Sequence, residues 1–254
     1  MNTFFRLPVR SNSASFQLDV SKIKDFYPWD VSALGFWDFS QESPFSVDES
    51  QTLQAQSPSS PVAFDAGKLI YSTAMGNNVT TQFTELDIPK FTYTAVVYLP
   101  DPTDYDTSIV MLAGNYMRVL NEQGVPTPVG AQGFINNKKL AVTAYGPIAL
   151  STANVNEGWC FISASVDTEN NLYSMYAFQT GSGAVVSTDN VGFTSNLIST
   201  ANFGLGNDKS SALGFRQQIK ASEFVLYDKY MSNSDLRLKY LESKGRQSRL
   251  GITI

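Results

Sequence analysis

Two carboxylates stand two residues apart in the segment Glu85-Leu-Asp87. On a β-strand this spacing places both side chains on one face, and retaining glycosidases need two carboxyl groups about 5–5.5 Å apart. Pro89 follows two residues later, and a proline interrupts a central strand because it donates no backbone hydrogen bond. The pair is therefore interpreted as non-catalytic, with hydrolysis of a glycan as the disfavoured alternative.

The densest group of oxygen ligands is Asp101-Pro-Thr-Asp104-Tyr-Asp106, between two predicted strands. Asp101, Asp104 and Asp106 offer the hard oxygen donors that calcium prefers, but the segment lacks the glycine and the final glutamate of an EF-hand loop. Asp and Pro are also ordinary turn formers. We expect a solvated acidic turn. If the chain binds a cofactor, these residues are its predicted calcium site, and no other cofactor is predicted.

Aromatic side chains suited to a sugar ring occur at Tyr27-Pro28-Trp29. Tyr27 and Trp29 are the predicted ligand-binding residues, since an amphipathic ring stacks on a sugar or packs at a subunit contact equally well. Trp37 and Trp159 lie in apolar, strand-like runs, so both are predicted to be core residues.

The chain contains no histidine and a single cysteine. Catalytic triads and dyads that depend on histidine are therefore excluded, and so are zinc, copper and iron sites with the usual nitrogen and sulfur ligands. Cys160 lies in the apolar run 159–162, where a thiol behaves as a small buried hydrophobe.

Charge and composition narrow the range of partners. Charged residues make up 16% of the chain, against about 25% in an average protein. The formal net charge is −5, which argues against nucleic acid and anionic membranes as partners, because both require a basic surface. The first residues include no apolar stretch long enough for a signal peptide. We expect synthesis in a cytoplasm.

Period-2 alternation dominates the region after residue 60. Phe91–Leu99 places Phe91, Tyr93, Ala95, Val97 and Leu99 on one face, as in a half-buried strand. Further strands are predicted at 107–113, 116–120, 132–136, 139–145, 159–166, 171–178, 184–188, 201–206 and 217–228. Many short strands without alternating helices predict an all-β, antiparallel two-sheet jelly-roll sandwich.

One helix is predicted near the C-terminus, at 232–244. Ser232 and Asp235 resemble a capping box, and Gly245 is the expected C-cap. The basic residues near its end, Lys239, Lys244, Arg246 and Arg249, are interpreted as a solvated last turn that complements the helix dipole. The predicted organisation is an N-terminal arm at 1–32, which packs or assembles, and a β-sandwich domain at 33–254.

The order of segments resembles the concanavalin A-like lectin/glucanase superfamily, in its laminin-G-like branch, over residues 33–244. The matching segments are Leu34–Phe39, Gly67–Ile70, Phe91–Leu99, Gly158–Asp167, Phe203–Gly206 and Ile219–Asp228. The resemblance implies two sheets of about six or seven strands, with ligands on the concave face or at rim loops. Its glucanase branch carries an E-x-D-x-E or E-x-D-x-x-E strand, where this chain has Pro89 and Lys90.

These patterns predict a non-catalytic binding or structural protein with a lectin-like domain. A lectin-like fold without an export signal indicates a virion-associated subunit, such as a phage tail or surface-decoration protein that adheres to host glycan. It would be extracellular or in the virion after cytoplasmic synthesis, and its partners would be cell-surface glycan or other virion proteins, in a homo-oligomer or larger assembly. A purely structural scaffold subunit and a polysaccharide hydrolase are the alternatives.

Overall fold

The longest strands lie side by side in the larger of two sheets in a computed structural model of the chain. The structure describes residues 32–39, 45–46, 54–55, 63–65, 68–72, 79–105, 109–195, 197–206 and 218–254. Its elements are β1 (Gly35–Asp38), β2 (Phe45–Ser46), β3 (Gln54–Ala55), β4 (Ala63–Asp65), β5 (Lys68–Ser72), β6 (Val79–Thr80), β7 (Lys90–Leu99), β8 (Ile109–Gly114), β9 (Met117–Leu120), β10 (Pro126–Val129), β11 (Ala131–Asn136), β12 (Lys139–Ala144), β13 (Ile148–Asn154), β14 (Gly158–Asp167), β15 (Leu172–Gln179), β16 (Ala184–Gly192), β17 (Gly204–Leu205), β18 (Gln218–Tyr227) and α1 (Asn233–Arg249).

Two antiparallel sheets contain nearly all of the described strands. The nine-stranded sheet runs β16-β15-β14-β7-β18-β1-β2, with β5 pairing to β18 and β4 to β5. The seven-stranded sheet runs β13-β12-β11-β8-β17-β6-β3, and β9 and β10 form a separate hairpin. The predicted fold class, an all-β sandwich with one C-terminal helix, is confirmed.

The main core lies between the inward faces of the two sheets. From β7 it receives the five residues that the alternation predicted, and from the opposite sheet Val110, Leu112, Ile135 and Leu140. Trp37 is fully buried in this core, as predicted. Cys160 is buried as well, and burial raises the pKa of its thiol. It therefore packs as an apolar group.

Strands β10 and β13 were not predicted from the sequence. Ile148 and Leu150 of β13 are exposed, whereas Ala149 and Ala153 pack on the core. The strand lies at the edge of its sheet, so its large apolar residues point away from the core and small ones point inward. This reverses the pattern that identifies a half-buried strand.

Helix α1 begins as predicted and ends later. Ser232 and Asp235 form the capping box. Gly245 is not the C-cap, because the helix continues to Arg249 and ends with Gly251 at φ 72° and the bond from Ile252 N to Gln247 O, 3.0 Å. A mid-helix glycine costs about 1 kcal/mol, which the contacts of the next two residues offset.

Those contacts are buried hydrogen bonds to Glu223 on β18. Arg246 donates from Nε to Oε2 at 2.7 Å and from Nη2 to Oε1 at 2.8 Å, and Ser243 and Gln247 donate to the same carboxylate. The expectation that Arg246 is solvated was therefore wrong, since the extended helix brings its guanidinium onto the sheet. Leu236 and Tyr240 are buried against the sheet, while Leu238 and Leu241 face outward.

Among the described residues, no helix is both long enough and apolar enough to cross a bilayer. The predicted arm, apart from Ser32, lies outside the described residues. The proposed division at residue 32 stays a prediction.

Candidate functional site

The residues predicted to bind a ligand or calcium fall largely outside the described part of the chain. Tyr27, Trp29 and Asp106 are not described, and neither is the side chain of Asp104. Asp101 is exposed, and its Oδ1 accepts hydrogen bonds from the N and Oγ1 atoms of Thr103 at 2.9 and 2.8 Å. These two bonds lower the pKa of Asp101.

Asp101 therefore caps the short 3₁₀ turn Pro102–Tyr105. The hydrogen bonds from Thr103 to Asp101 agree with the interpretation of this segment as a solvated acidic turn. Across the described ranges, no three His, Cys, Asp or Glu residues are grouped as metal ligands. The calcium site itself stays a prediction, since two of its three carboxylates are not described.

Glu85 and Asp87 lie in a turn before β7, not on a strand. Asp87 is exposed, and its Oδ2 accepts hydrogen bonds from the N and Oγ1 atoms of Thr84. Glu85 is buried. The two carboxylates thus have different environments and do not share a strand face, which is the geometry that the glycosidase alternative required.

Glu85 joins four loop segments at one end of the sandwich. Its Oε2 accepts hydrogen bonds from Tyr145 Oη at 2.5 Å and Ser199 N at 2.8 Å, and its Oε1 accepts from Asn115 Nδ2 at 2.9 Å. Burial raises the pKa of this carboxyl, and the three hydrogen bonds oppose that rise. Each oxygen is occupied by a donor of the protein, so the group organises the loops.

Of the two tryptophans in the described part of the chain, Trp37 is buried and Trp159 is partly exposed. Trp159 was predicted to be a core residue, and it is only partly buried: it packs against the edge of the hydrophobic cluster under α1, at the start of β14 on the outer face of the nine-stranded sheet. The apolar run 159–162 indicated a strand buried on both faces. Helix α1 and the chain after it bury Phe161 on that face, but they border Trp159 without covering it.

An open pocket of about 350 Å³ adjoins this ring. Its lining combines the indole with polar groups and backbone from the β13–β14 and β15–β16 turns and the C-terminal tail. The lining residues are Glu157, Gly158, Trp159, Gln179, Thr180, Gly181, Gly251 and Thr253. Gly158, between Glu157 and Trp159, has φ 137°, a conformation that glycine adopts readily.

Hydrogen bonds fix the walls of the pocket. Gln179 is buried, accepts from Asn156 N at 2.9 Å and donates to Asn156 O at 2.8 Å, which ties the two turns together. Tyr98 contacts the indole edge to face, with ring centroids 5.3 Å apart, and donates its hydroxyl to Glu157 Oε1 at 2.6 Å. This bond raises the pKa of Tyr98.

The pocket offers an aromatic surface beside the carboxylate of Glu157 and the hydroxyls of Thr180 and Thr253. A sugar ring presents apolar C–H groups on its face and hydroxyls around its edge, so an aromatic ring and polar side chains complement the two parts separately. The sequence signal for this site is weak. Trp159 directly follows the turn Asn156-Glu-Gly158, which indicates that it is an exposed residue at the start of a strand. Its contact with Tyr98 depends on the register between β14 and β7.

Comparisons with known proteins agree on the architecture. No protein-family model matches the chain, and no curated protein matches it. The solved structures it resembles include the Trypanosoma rangeli sialidase in complex with 2,3-difluorosialic acid, with 13% identity and a TM-score of 0.56 over 82% of this chain and 32% of the sialidase.

Two toxin domains are similar to a comparable degree. The botulinum neurotoxin type G receptor-binding domain has 12% identity and a TM-score of 0.52 over 84% of this chain and 52% of the domain. The botulinum neurotoxin serotype D ligand-binding domain in complex with N-acetylneuraminic acid has 8% identity and a TM-score of 0.52 over 82% and 50%. The chain spans a third to a half of these structures. At such identities the likeness shows a shared fold.

Proposed function

We propose that the chain is a non-catalytic carbohydrate-binding domain whose ligand packs on Trp159. The observation that carries the proposal is a partly exposed indole in a pocket lined by Glu157, Gln179, Thr180 and Thr253. Support also comes from one structural neighbour, the botulinum neurotoxin serotype D ligand-binding domain, whose structure is a complex with N-acetylneuraminic acid. The finer assignment to the laminin-G-like branch rests on the sequence resemblance and is part of the proposal.

Binding of the isolated protein to a glycan array tests this proposal. Trp159→Ala should abolish the signal, because the stacking surface is lost. Trp29→Ala is the matched variant, since Trp29 is the platform predicted from sequence. Loss of binding in the Trp29 variant alone would transfer the site to the arm, and loss in neither would remove both aromatic sites.

The non-catalytic part of the proposal has a separate test. Its support is the absence of histidine and the engagement of Glu85 by three donors of the protein. Incubation with bacterial surface polysaccharides should release no reducing ends. Release that Glu85→Gln abolishes, with folding intact by circular dichroism, would establish a hydrolase instead.

The virion-associated role stays a prediction, and its assembly part assigns the contact with other subunits to residues 1–32, whose structure is not described apart from Ser32. Deletion of residues 1–30 should leave a folded protein that no longer assembles with its partner. Size-exclusion chromatography with light scattering compares the two forms. A deletion variant with the same oligomeric state as the full chain would contradict the assembly role.

A further inference from the structure

Trp159 belongs to a row of side chains that crosses four neighbouring strands. Trp159 on β14 lies opposite Tyr98 on β7. Tyr98 lies opposite Lys220 on β18, and Lys220 lies opposite Ile70 on β5. We name this row the Trp159 rung. Strands lie about 4.8 Å apart, so the rung is roughly 14 Å long, the length of about three linked sugar rings.

The four residues share one face and one degree of exposure. Ile219, Ala221 and Leu69, their sequence neighbours, point into the main core, so the rung itself points outward because side chains alternate. All four of its residues are partly exposed. The adjacent rung, Phe161, Val96 and Glu223, is buried beneath α1. The Trp159 rung therefore borders the helix as an accessible strip.

Charge changes along this strip. At the pocket end lie the carboxylate of Glu157, which accepts the Tyr98 hydroxyl, and the ammonium of Lys68 over the Trp159 ring. Beyond Tyr98 lies Lys220, and the Nζ atom of Lys68 lies 5.8 Å from the centre of the Trp159 ring. Lysine brings three hydrogen-bond donors and a positive charge. A ligand that follows the rung thus meets groups of both charge signs at Trp159 and an ammonium group beyond Tyr98.

We infer that the ligand is an oligosaccharide chain that carries an anionic sugar. An uncharged ring packs on Trp159 in the pocket, and a carboxylated or sulfated ring lies toward Lys220. This inference rests on the proposed function and adds to it a chain length and a charge. A single neutral sugar would use the pocket and leave the rest of the strip without a role.

Titration calorimetry on the full chain tests both additions. The probes are a neutral β-linked trisaccharide, a matched trisaccharide with one uronic acid, its sulfated counterpart and the corresponding monosaccharides. The acidic trisaccharides should bind roughly tenfold more tightly than the neutral one, the gain expected from one charge-assisted hydrogen bond. Lys220→Gln should remove that difference, and Lys220→Arg should retain most of it.

Lys138→Gln is the control, since it removes the same charge from the turn between β11 and β12 in the other sheet. Equal affinity for neutral and acidic chains, with no effect of Lys220→Gln, would overturn the inference while a loss on Trp159→Ala still supports the proposed function. Equal affinity for monosaccharides and trisaccharides would overturn the chain length. Binding that is unchanged by Trp159→Ala, or absent for every probe, would overturn both.

Discussion

Two neighbouring rungs of the same sheet face differ in how far the rest of the chain covers them. The Phe161 rung (Phe161, Val96 and Glu223) lies under α1, where Phe161 packs edge to face on Tyr240 with ring centroids 5.5 Å apart. The Trp159 rung lies two residues away along the strands, about 7 Å, and stays partly exposed. Both contain aromatic and charged residues, so composition does not separate them.

What separates the two rungs is where α1 and the tail lie. At the Phe161 rung the helix supplies a partner for the charge, because Arg246 neutralises Glu223 at 2.7 Å. At the Trp159 rung the tail residues Gly251 and Thr253 form only a wall of the pocket. Substitutions at the first rung should therefore reduce stability, and substitutions at the second should reduce binding.

The largest effect is expected when the buried ion pair is broken. Arg246→Met leaves the Glu223 carboxylate buried without its cation, which costs about 3–5 kcal/mol of unfolding free energy. Urea unfolding followed by tryptophan fluorescence measures the loss. The double variant Glu223→Leu/Arg246→Met should regain most of it, since no unpaired charge remains. A single variant as stable as the wild type would show that the pair does not anchor the helix.

Apolar contacts of α1 come next. Leu236 is fully buried against the sheet, and Leu236→Ala should cost about 3 kcal/mol through lost burial and the resulting cavity. Leu238 is 56% exposed on the same helix, and Leu238→Ala should change the unfolding free energy by less than about 0.5 kcal/mol. Equal losses for the two leucines would mean that Leu238 also has a partner surface.

A smaller loss of stability is expected from a substitution at the Trp159 rung. Trp159→Ala removes a half-buried ring and should cost about 1–2 kcal/mol, while sugar binding is lost. Phe161→Ala, two residues along the same strand, should cost about 3–5 kcal/mol and leave binding intact at temperatures where the variant is folded. Thermal unfolding and calorimetry together decide. Lost binding in the Phe161 variant and retained binding in the Trp159 variant would reverse the assignment.

Much of the sandwich was predictable because its signals are local. The alternation in β7 follows from which faces are buried, and the Ser232–Asp235 capping box depends on residues three apart. The end of α1 was not predictable, because the helix passes Gly245 to bring Arg246 to Glu223, a contact between residues 23 apart. Local propensity indicates a stop at Gly245, and tertiary contacts override it.

The candidate site was harder to predict for the same reason. Trp159 and Phe161 both lie in one apolar run, and only the position of α1 and the tail leaves the first exposed. Tyr98 and Trp159 are neighbours through strand register, and no sequence pattern encodes that pairing. The sequence features that predicted ligand sites, Tyr27-Pro28-Trp29 and the Asp101–Asp106 turn, are short local patterns.

The smallest expected effect concerns the contact between Tyr98 and Glu157. The hydrogen bond to the carboxylate raises the pKa of Tyr98 above its ordinary value of 10.0. A raised folded-state pKa means that the contact contributes stability at lower pH and loses it as the pH rises through that pKa. The contact therefore stays formed throughout the neutral range, where sugar binding would be measured.

Replacement of Glu157 tests this cause directly. Glu157→Gln should lower the pKa of Tyr98 toward 10, because the acceptor no longer carries a charge that opposes the phenolate. An NMR titration of ¹³Cζ-labelled tyrosine follows the change, and Tyr98→Phe assigns the resonance. A pKa that stays raised in Glu157→Gln would identify burial as the cause. In that case Tyr98 would not hold the Glu157 carboxylate in place. The pocket end of the Trp159 rung would then lack the fixed carboxylate that distinguishes it from the end at Lys220.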